Sequence, residues 1–272
     1  MTWHDIAYKE FHGASRSRSL WALLGFFGIL FVGFTGLHTY FGDETFPSYI
    51  NGLAGLIAVL LPLIGILLGY KAVSDSRNSG SMVLTLSFPH SRQDLAIGTF
   101  VGRSLVLLVP TAITLVLAGV LGIVLYGSEN IIWFPWFVFI TALYGVAFVG
   151  VAIGISLFSK ADRWITVGSL GAYLLLVIFW DNFNTLSLLV LHRFDFDILL
   201  QMPDWALLFR LLKPSEAYYR LLHLGFETPA AIFYVHDGAP FYVDWWAAIL
   251  VLLAWTIIPV LIGYWRFQRS DL

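Results

Sequence analysis

The sequence predicts an all-α integral membrane protein with six transmembrane helices, and three observations carry this prediction. Hydrophobic residues make up 59% of the 272 residues and charged residues only 12%, about half of the roughly 25% that is usual in soluble domains. Six apolar stretches approach or exceed the about 20 helical residues that cross a hydrocarbon core. Aromatic residues reach 17%, as expected where aromatic belts mark both membrane interfaces.

The six predicted spans contain no Asp, Glu, Lys or Arg. The fifth is short, and residues 185–191 are a candidate extension of it beyond the polar step at Asp181, Asn182 and Asn184. Residues 1–272 are therefore expected to form a single transmembrane domain. The spans cover residues 20–38, 51–70, 104–126, 132–158, 164–180 and 245–265.

The loops between the spans predict the orientation, because Lys and Arg accumulate on the cytoplasmic side. Eleven basic residues fall on the side of the termini, against four on the other side, and acidic residues show the reverse bias. We therefore expect a multi-pass protein of the cell (plasma) membrane with both termini cytoplasmic. The four outer basic residues are Arg193, Arg210, Lys213 and Arg220.

Three segments outside the spans have an organisation of their own. Residues 1–19 place apolar side chains on one helical face and charged ones on the other, which predicts a helix in the cytoplasmic interface. The 71–97 segment is the only long cytoplasmic loop, with a break at Pro89 and a helix start near Ser91. The external 182–244 segment reads as short helices separated by prolines.

The charge-free spans disfavour proton-coupled transport, since secondary transporters usually keep ionisable residues there. Cysteine is absent, and no lysine follows a glycine, so the chain has no P-loop. The net charge of −2 gives no basic footprint for nucleic acid, so we expect no nucleic-acid partner. We predict no catalytic residue, no enzyme activity and no metal site. The histidines predicted to be external fit no compact ligand spacing; they are His38, His192, His223 and His236.

Glycine and proline are frequent within the spans. Glycines at four-residue spacing predict close packing of helices through small faces. Prolines inside spans predict kinks, and those considered are Pro62, Pro110, Pro135 and Pro259.

Several motifs resemble those of the type-2 ABC transporter (ABC-2) permeases, most closely the NosY-type permeases of nitrous oxide reductase accessory transporters. The most specific motif surrounds the long loop. It comprises residues 62–64 (PLI), 67–70 (LLGY), 79–89 (SGSMVLTLSFP), 91–92 (SR) and 98–102 (GTFVG). Residues 7–10 (AYKE), 213–220 (KPSEAYYR) and 267–272 (FQRSDL) agree with the family's opening, outer loop and tail.

The resemblance implies a permease subunit that pairs with a second permease, a copy or a paralogue, and is powered by separate ATPase subunits. ATP and Mg would then be bound by the partner and no cofactor by this chain. The long loop would contain the coupling helix, through Asp75, Arg77, Leu84, Leu86, Phe88, Pro89 and Arg92. The implied interfacial helix uses Lys9, Glu10 and Arg16, and the implied external gate uses Pro214, Tyr218 and Arg220.

Several functions fit these expectations. The NosY-like resemblance implies maturation of a copper site, by mechanical work on an extracytoplasmic partner or transport of a sulfur compound, since the spans lack Cys and Met. Export of a lipid, drug or peptide is an alternative. A membrane scaffold or assembly factor that does not use ATP is another.

Overall fold

A computed structural model of the chain describes residues 3–41, 45–75, 91–199, 202–235 and 239–269. Within these ranges the chain forms helices and no strand. The helices are α1 (Trp3–Arg16), α2 (Arg18–Phe41), α3 (Phe46–Gly69), α4 (Arg92–Tyr126), α5 (Phe134–Phe158), α6 (Asp162–Leu191), α7 (Asp204–Leu211), α8 (Pro214–Phe226) and α9 (Trp245–Gln268). Short 3₁₀ turns stand at Ile131–Trp133, Phe196–Leu199, Pro229–Tyr234 and Phe241–Val243.

Six of these helices, α2 to α6 and α9, are long and apolar enough to cross a membrane. The predicted all-α membrane fold with six spans is therefore confirmed. Helix α4 is longer than predicted: it begins at Arg92 instead of residue 104 and holds 35 residues. At 1.5 Å per residue it is about 52 Å long, so its first turns extend beyond a core of about 30 Å. Residues 92–97 thus belong to a helix, not to a loop.

Helix α6 continues past the polar step, as the extension of the fifth span predicts. A π-helical stretch, Leu174–Phe179, lies in its middle and is followed by Trp180–Leu191. The π-helical stretch shifts the register just before Asp181, whose carboxylate accepts from Nζ of Lys213, between α7 and α8, at 2.6 Å. The segment between the last two spans consequently begins after Leu191 and not at residue 182.

The two ends of the bundle differ in what covers them. At the end that carries both termini, here the terminal side, α1 packs on the start of α4 and the last turn of α9 contacts Arg92. At the other end, here the cap side, α7, α8 and the 3₁₀ turns cover the helices. The cap's contacts with the bundle include a hydrogen bond from Asn51 Nδ2 to the Phe226 carbonyl at 2.9 Å.

Helix α5 stands at the centre of the bundle and packs against α3, α4, α8 and α9. Its contact with α9 is made backbone to backbone, because Gly150 and Gly154 on α5 face Thr256, Pro259 and Gly263 on α9. A Cβ on Gly150 would stand 2.5 Å from the Thr256 carbonyl oxygen. Predicted packing through small faces is therefore confirmed for this pair of helices.

Two of the expectations for glycine and proline are wrong in part. A Cβ on Gly25, Gly33 or Gly36 of α2 would meet nothing within 4 Å in the described chain, so these glycines do not pack helices within it. Pro135 does not lie inside a helix but in the first turn of α5, where no hydrogen bond is lost. The other three prolines lie within helices as predicted.

Candidate coupling site and the opposite cap

The predicted coupling segment is flanked by two anchored stretches of chain. Arg77, Leu84, Leu86, Phe88 and Pro89 lie outside the described residues, whereas Asp75 and Arg92 lie at the two ends of the gap. Asp75 is exposed, and its amide donates to the Lys71 carbonyl at 2.9 Å. The residues on both sides of the segment attach it to the rest of the protein.

On the C-terminal flank, Arg92 is bound to the end of α9. Its Nη1 donates to the carbonyls of Phe267 at 2.9 Å and Gln268 at 3.0 Å. The guanidinium carbon also stands 5.4 Å from the centroid of the Phe267 ring, which is completely buried. Cations are favourable at a helix C-terminus, where the last carbonyls lack partners. Arg92 therefore ties the start of α4 to the last span.

The helix that follows begins at a complete capping box. Ser91 Oγ accepts from the Asp94 amide at 3.0 Å, and the Asp94 carboxylate accepts from the Ser91 amide at 3.0 Å. This arrangement satisfies two of the amides that a helix start leaves without partners. The helix start predicted near Ser91 is confirmed, and its backbone direction is fixed at this point.

On the N-terminal flank, the chain is bound to α5 and α6. The Val73 amide donates to Ser156 Oγ at 3.2 Å, and the buried Ser74 hydroxyl donates to the Asp162 carboxylate. Asp162 lies in the first turn of α6. The two flanks of residues 76–90 are thus joined to three different membrane helices.

The N-terminal helix packs on protein more closely than its predicted interfacial position requires. Ile6 and Ala7 are buried, and the close approach is possible because α4 presents two glycines to α1. A Cβ on Gly98 would stand 2.6 Å from Ile6 Cβ, and one on Gly102 would stand 2.6 Å from Glu10 Cβ. The apolar face of α1 therefore serves helix packing on the extended start of α4.

The charged residues of α1 divide between protein and solvent. Glu10 forms an ion pair with Arg103 of α4, with 3.0 Å between Oε2 and Nε. Lys9 and Arg16 are exposed. Of the three residues predicted for the interfacial helix, Glu10 holds α1 to α4 and the two cations remain at the surface.

At the cap side, the residues predicted for an external gate lie in α8. Pro214 is buried in its first turn, where proline is well suited to begin a helix. Tyr218 is completely buried, its hydroxyl lies 3.1 Å from Thr141 Oγ1, and its ring stacks on Tyr144 at 4.8 Å. Tyr218 is therefore part of the buried contact between α8 and α5.

The third predicted gate residue joins the cap to the last span. Arg220 Nη2 stands 2.6 Å from Asp244 Oδ1, and Nε donates to the Val243 carbonyl at 3.4 Å. Asp244 is also the N-cap of α9 and accepts from the Trp245 amide at 2.7 Å. Burial lowers the pKa of the Arg220 guanidinium, and Asp244 acts in the opposite direction.

Two further ion pairs of the cap were not predicted from the sequence. Lys213 Nζ stands 2.6 Å from Asp181 Oδ2 on α6. Arg210 Nε and Nη2 stand 3.1 and 3.2 Å from the two carboxylate oxygens of Glu216, which also accepts from the Tyr234 hydroxyl at 2.9 Å. Lys213 and Asp181 are 32 positions apart in sequence, whereas Arg210 and Glu216 are 6 apart. Only the polar step at Asp181 signalled one of these pairs.

Burial and neighbouring charged groups shift the pKa values of an arginine and a tyrosine in the cap. Burial acts to lower the pKa of Arg210, but Glu216, together with Tyr234 and Asp181, raises it on balance. Burial, together with Glu216 and Asp181, raises the pKa of Tyr219 to about 12. At neutral pH the arginine is therefore charged and the tyrosine neutral.

Tryptophans complete the attachment of the cap. Three indole Nε1 atoms donate to carbonyls of α7, α8 and the residue after α7: Trp180 to Phe209 at 3.1 Å, Trp136 to Leu221 at 2.9 Å and Trp255 to Leu212 at 2.9 Å. An indole has an apolar body and a single donor, so it suits a membrane boundary. Through these bonds the cap is fastened to α5, α6 and α9.

Six helices that can span a membrane, with a helical cap at one end, define a multi-pass membrane protein, and comparisons with known proteins give its class. The family model described as "ABC-2 family transporter protein" matches residues 4–272, and the chain belongs to that family. It is a multi-pass membrane protein and a permease subunit of an ABC transporter. The family implies an ABC ATPase as partner.

Two curated relatives are similar over nearly their whole length. The protein named "Probable ABC transporter permease protein NosY" of Stutzerimonas stutzeri is 31% identical, with 97% of each chain covered. The protein of the same name from Pseudomonas aeruginosa is 28% identical, with 98% of each chain covered. The resemblance to NosY-type permeases that the motifs indicate is thereby confirmed.

Proposed function

We propose that this chain is the membrane half of a NosY-like ABC transporter whose ATPase subunits dock on residues 71–97. Two permeases, identical or paralogous, would pair in the membrane, and ATP and Mg would be bound by the ATPase subunits. The chain itself would bind no cofactor and catalyse no reaction.

The observation that carries the coupling role is the attachment of residues 76–90 at both flanks. Val73 and Ser74 are bound to α5 and α6, and Arg92 is bound to the end of α9. A displacement of the segment by an ATPase would therefore move these three spans relative to one another. Such a two-sided attachment is not needed by a loop that only connects α3 and α4.

Docking of an ATPase on residues 71–97 requires both termini to be cytoplasmic and the protein to lie in the plasma membrane. The excess of Lys and Arg on the terminal side supports this orientation. Because the chain has no cysteine, a Gly80→Cys variant carries a single thiol. We expect an impermeant maleimide to label it only after the cells are opened; labelling of intact cells would reverse the orientation.

We infer that the transporter serves copper-site maturation and that copper itself does not pass through the spans. The resemblance to NosY-type permeases supports the link, and the absence of Cys and Met from the six spans argues against a soft-metal pathway. The cap is a suitable surface for an extracytoplasmic partner. Export of a lipid, drug or peptide remains the competing function.

The test is affinity purification of the tagged chain in mild detergent, with partner masses and ATP hydrolysis recorded. We expect a P-loop protein in equal number, and an Arg92→Glu variant that retains the partner but loses the coupling between hydrolysis and transport. Leu86→Asp probes the same coupling from within the segment. Arg163→Glu is the charge-matched control, because Arg163 is exposed on the same side of the bundle.

Because Arg92 also caps α9, the variants are first compared by thermal unfolding and by the amount of protein inserted. An ATPase-free oligomer in several detergents would contradict the proposal and favour a scaffold or assembly factor. Abolition of transport by a protonophore, with ATP intact, would indicate a secondary transporter instead.

A further inference from the structure

A large groove opens on the flank of the bundle between α6 and α9. Its volume is about 1430 Å³, and its floor is α5. Along α9 the lining extends from Leu250 to Arg269, which corresponds to roughly 28 Å of helix and so to most of a hydrocarbon core of about 30 Å. The groove is larger than the roughly 300–1000 Å³ pockets that hold drug-sized ligands.

The two ends of the groove differ in charge. At the terminal side three cations line it, Lys160, Arg266 and Arg269. Toward the cap side the lining is apolar and aromatic, with Trp180, Leu212 and Trp255. This polarity matches a ligand with an anionic head and a long apolar body.

The two guanidinium groups are held at the mouth by aromatic rings. The guanidinium carbon of Arg266 stands 5.3 Å from the centroid of Phe158, and that of Arg269 stands 3.9 Å from the centroid of Trp265. Both side chains are exposed, and neither forms a salt bridge with a carboxylate of the described residues. Their charge is therefore available to a ligand, and the rings restrict where it is presented.

The walls below these cations favour flexible chains over a packed helix. Trp164, Ile258 and Ile262 line the groove and are 51 to 66% exposed. Helix pairs in membranes usually meet through small residues that let the backbones approach, whereas these rims are bulky. Acyl chains adapt to such an uneven apolar surface at no cost in hydrogen bonds.

We propose that this groove binds one membrane phospholipid with an anionic headgroup. The phosphate lies among Arg266, Arg269 and Lys160 at the terminal side, and the acyl chains extend along α6 and α9 over the α5 floor. Basic pockets between transmembrane helices bind anionic lipid headgroups in this way. The lipid is a resident ligand that fills the gap between α6 and the rest of the bundle, and its binding does not depend on ATP or on the transported substrate.

The experiment is native mass spectrometry of the delipidated full-length protein titrated with phosphatidylglycerol or with phosphatidylcholine. We expect tighter binding of phosphatidylglycerol, and an Arg266→Gln/Arg269→Gln variant that loses about fivefold in affinity for each charge removed. Phosphatidylcholine binding is expected to change less. Arg163→Gln removes a nearby charge that does not line the groove and is expected to keep the preference.

A second pair of variants tests the acyl part of the site. Ile258→Trp fills the groove and is expected to weaken binding of both lipids. Ile257→Trp, one residue away on the same helix and outside the lining, is expected to leave it unchanged. The thermal unfolding of each variant is measured first, and binding is compared only between variants of equal stability, so that a loss of binding does not reflect a loss of fold.

Equal binding of the two lipids, or a preference that survives loss of both arginines, would overturn the proposal. So would an Ile258→Cys variant that forms a disulfide-linked dimer irrespective of added phosphatidylglycerol, since the groove would then hold a second copy of the chain. None of these measurements involves ATP hydrolysis, so their failure is distinct from failure of the proposed transport function.

Discussion

Single residues decide how closely the central helices approach. Gly154 of α5 faces the Pro259 carbonyl, and Gly263 of α9 faces the Gly154 carbonyl, so each helix touches the backbone of the other. Spacing of glycines in the sequence predicted small packing faces, but it did not distinguish these glycines from Gly25, Gly33 and Gly36. The distinction depends on which helices become neighbours, and local spacing does not contain that information.

The first prediction concerns this contact. Gly154→Ala or Gly263→Ala places a Cβ against backbone that cannot rotate away, and we expect a destabilisation of about 1–3 kcal/mol, as for overpacked cores. Thermal unfolding in detergent measures it. Gly171→Ala is the control, since a Cβ there meets nothing within 4 Å, and an equal effect of both substitutions would contradict the assigned contact.

A second residue-scale prediction concerns Glu216, which is 5% exposed and binds both Arg210 and Tyr234. In Glu216→Gln the partly buried guanidinium loses its counter-charge, and we expect a loss of about 2 kcal/mol, below the roughly 3–5 kcal/mol of fully buried pairs. Unfolding measured at neutral pH, with the exposed Glu129→Gln as control, tests it. A Glu216→Gln variant as stable as the control would show that the pair contributes nothing.

For the helices, the sequence predicted where they lie along the chain more accurately than which neighbours they contact. The hydropathy of the six spans is sufficient to locate them, because a helix in lipid must be long and apolar along its whole length. The amphipathic pattern of α1 is equally compatible with a lipid interface and with a protein surface. The pair Gly98 and Gly102, four residues apart on α4, is the signal that could have indicated its actual neighbour.

The element-scale prediction is that α1 depends on these glycines. A Gly102→Leu side chain would collide with Glu10, whose Cβ lies 2.6 Å from the position of the added Cβ, and would displace α1 from α4. We expect faster tryptic cleavage at Lys9 and weaker transport. Gly13→Ala, which meets nothing within 4 Å, serves as control, and unchanged proteolysis of Gly102→Leu would refute the packing role.

At the scale of the whole molecule, the bundle is held differently at its two ends. Two ion pairs and three indole hydrogen bonds fasten the cap to α5, α6 and α9, and a third ion pair, between Arg210 and Glu216, joins α7 to α8 within the cap. On the terminal side, the same three helices receive the flanks of residues 76–90. If an ATPase moves this segment, as we propose, the movement would act on helices that the cap also holds, which would favour tilting of the spans over separation of the bundle.

The cap also shows where sequence reasoning stops. Composition and prolines predicted short helices there, but the ion pairs join residues that are up to 32 positions apart, and no local pattern specifies such partners. The prediction of Pro214, Tyr218 and Arg220 as an external gate came from family resemblance alone. The structure places all three in one helix, with Tyr218 packed on α5 and Arg220 joined to the start of α9.

The measurement that tests the coupling role most directly is cross-linking from single cysteines to the ATPase in membranes that contain the assembled transporter. With a short maleimide–benzophenone reagent, which attaches to the introduced thiol and forms a bond to C–H groups of a neighbouring protein on illumination, we expect Leu86→Cys to cross-link to the ATPase subunit. Phe241→Cys, which stands on the cap at a position that is 78% exposed, is expected to give no such product. An ATPase cross-link from position 241, or none from position 86 in active membranes, would contradict docking on residues 71–97.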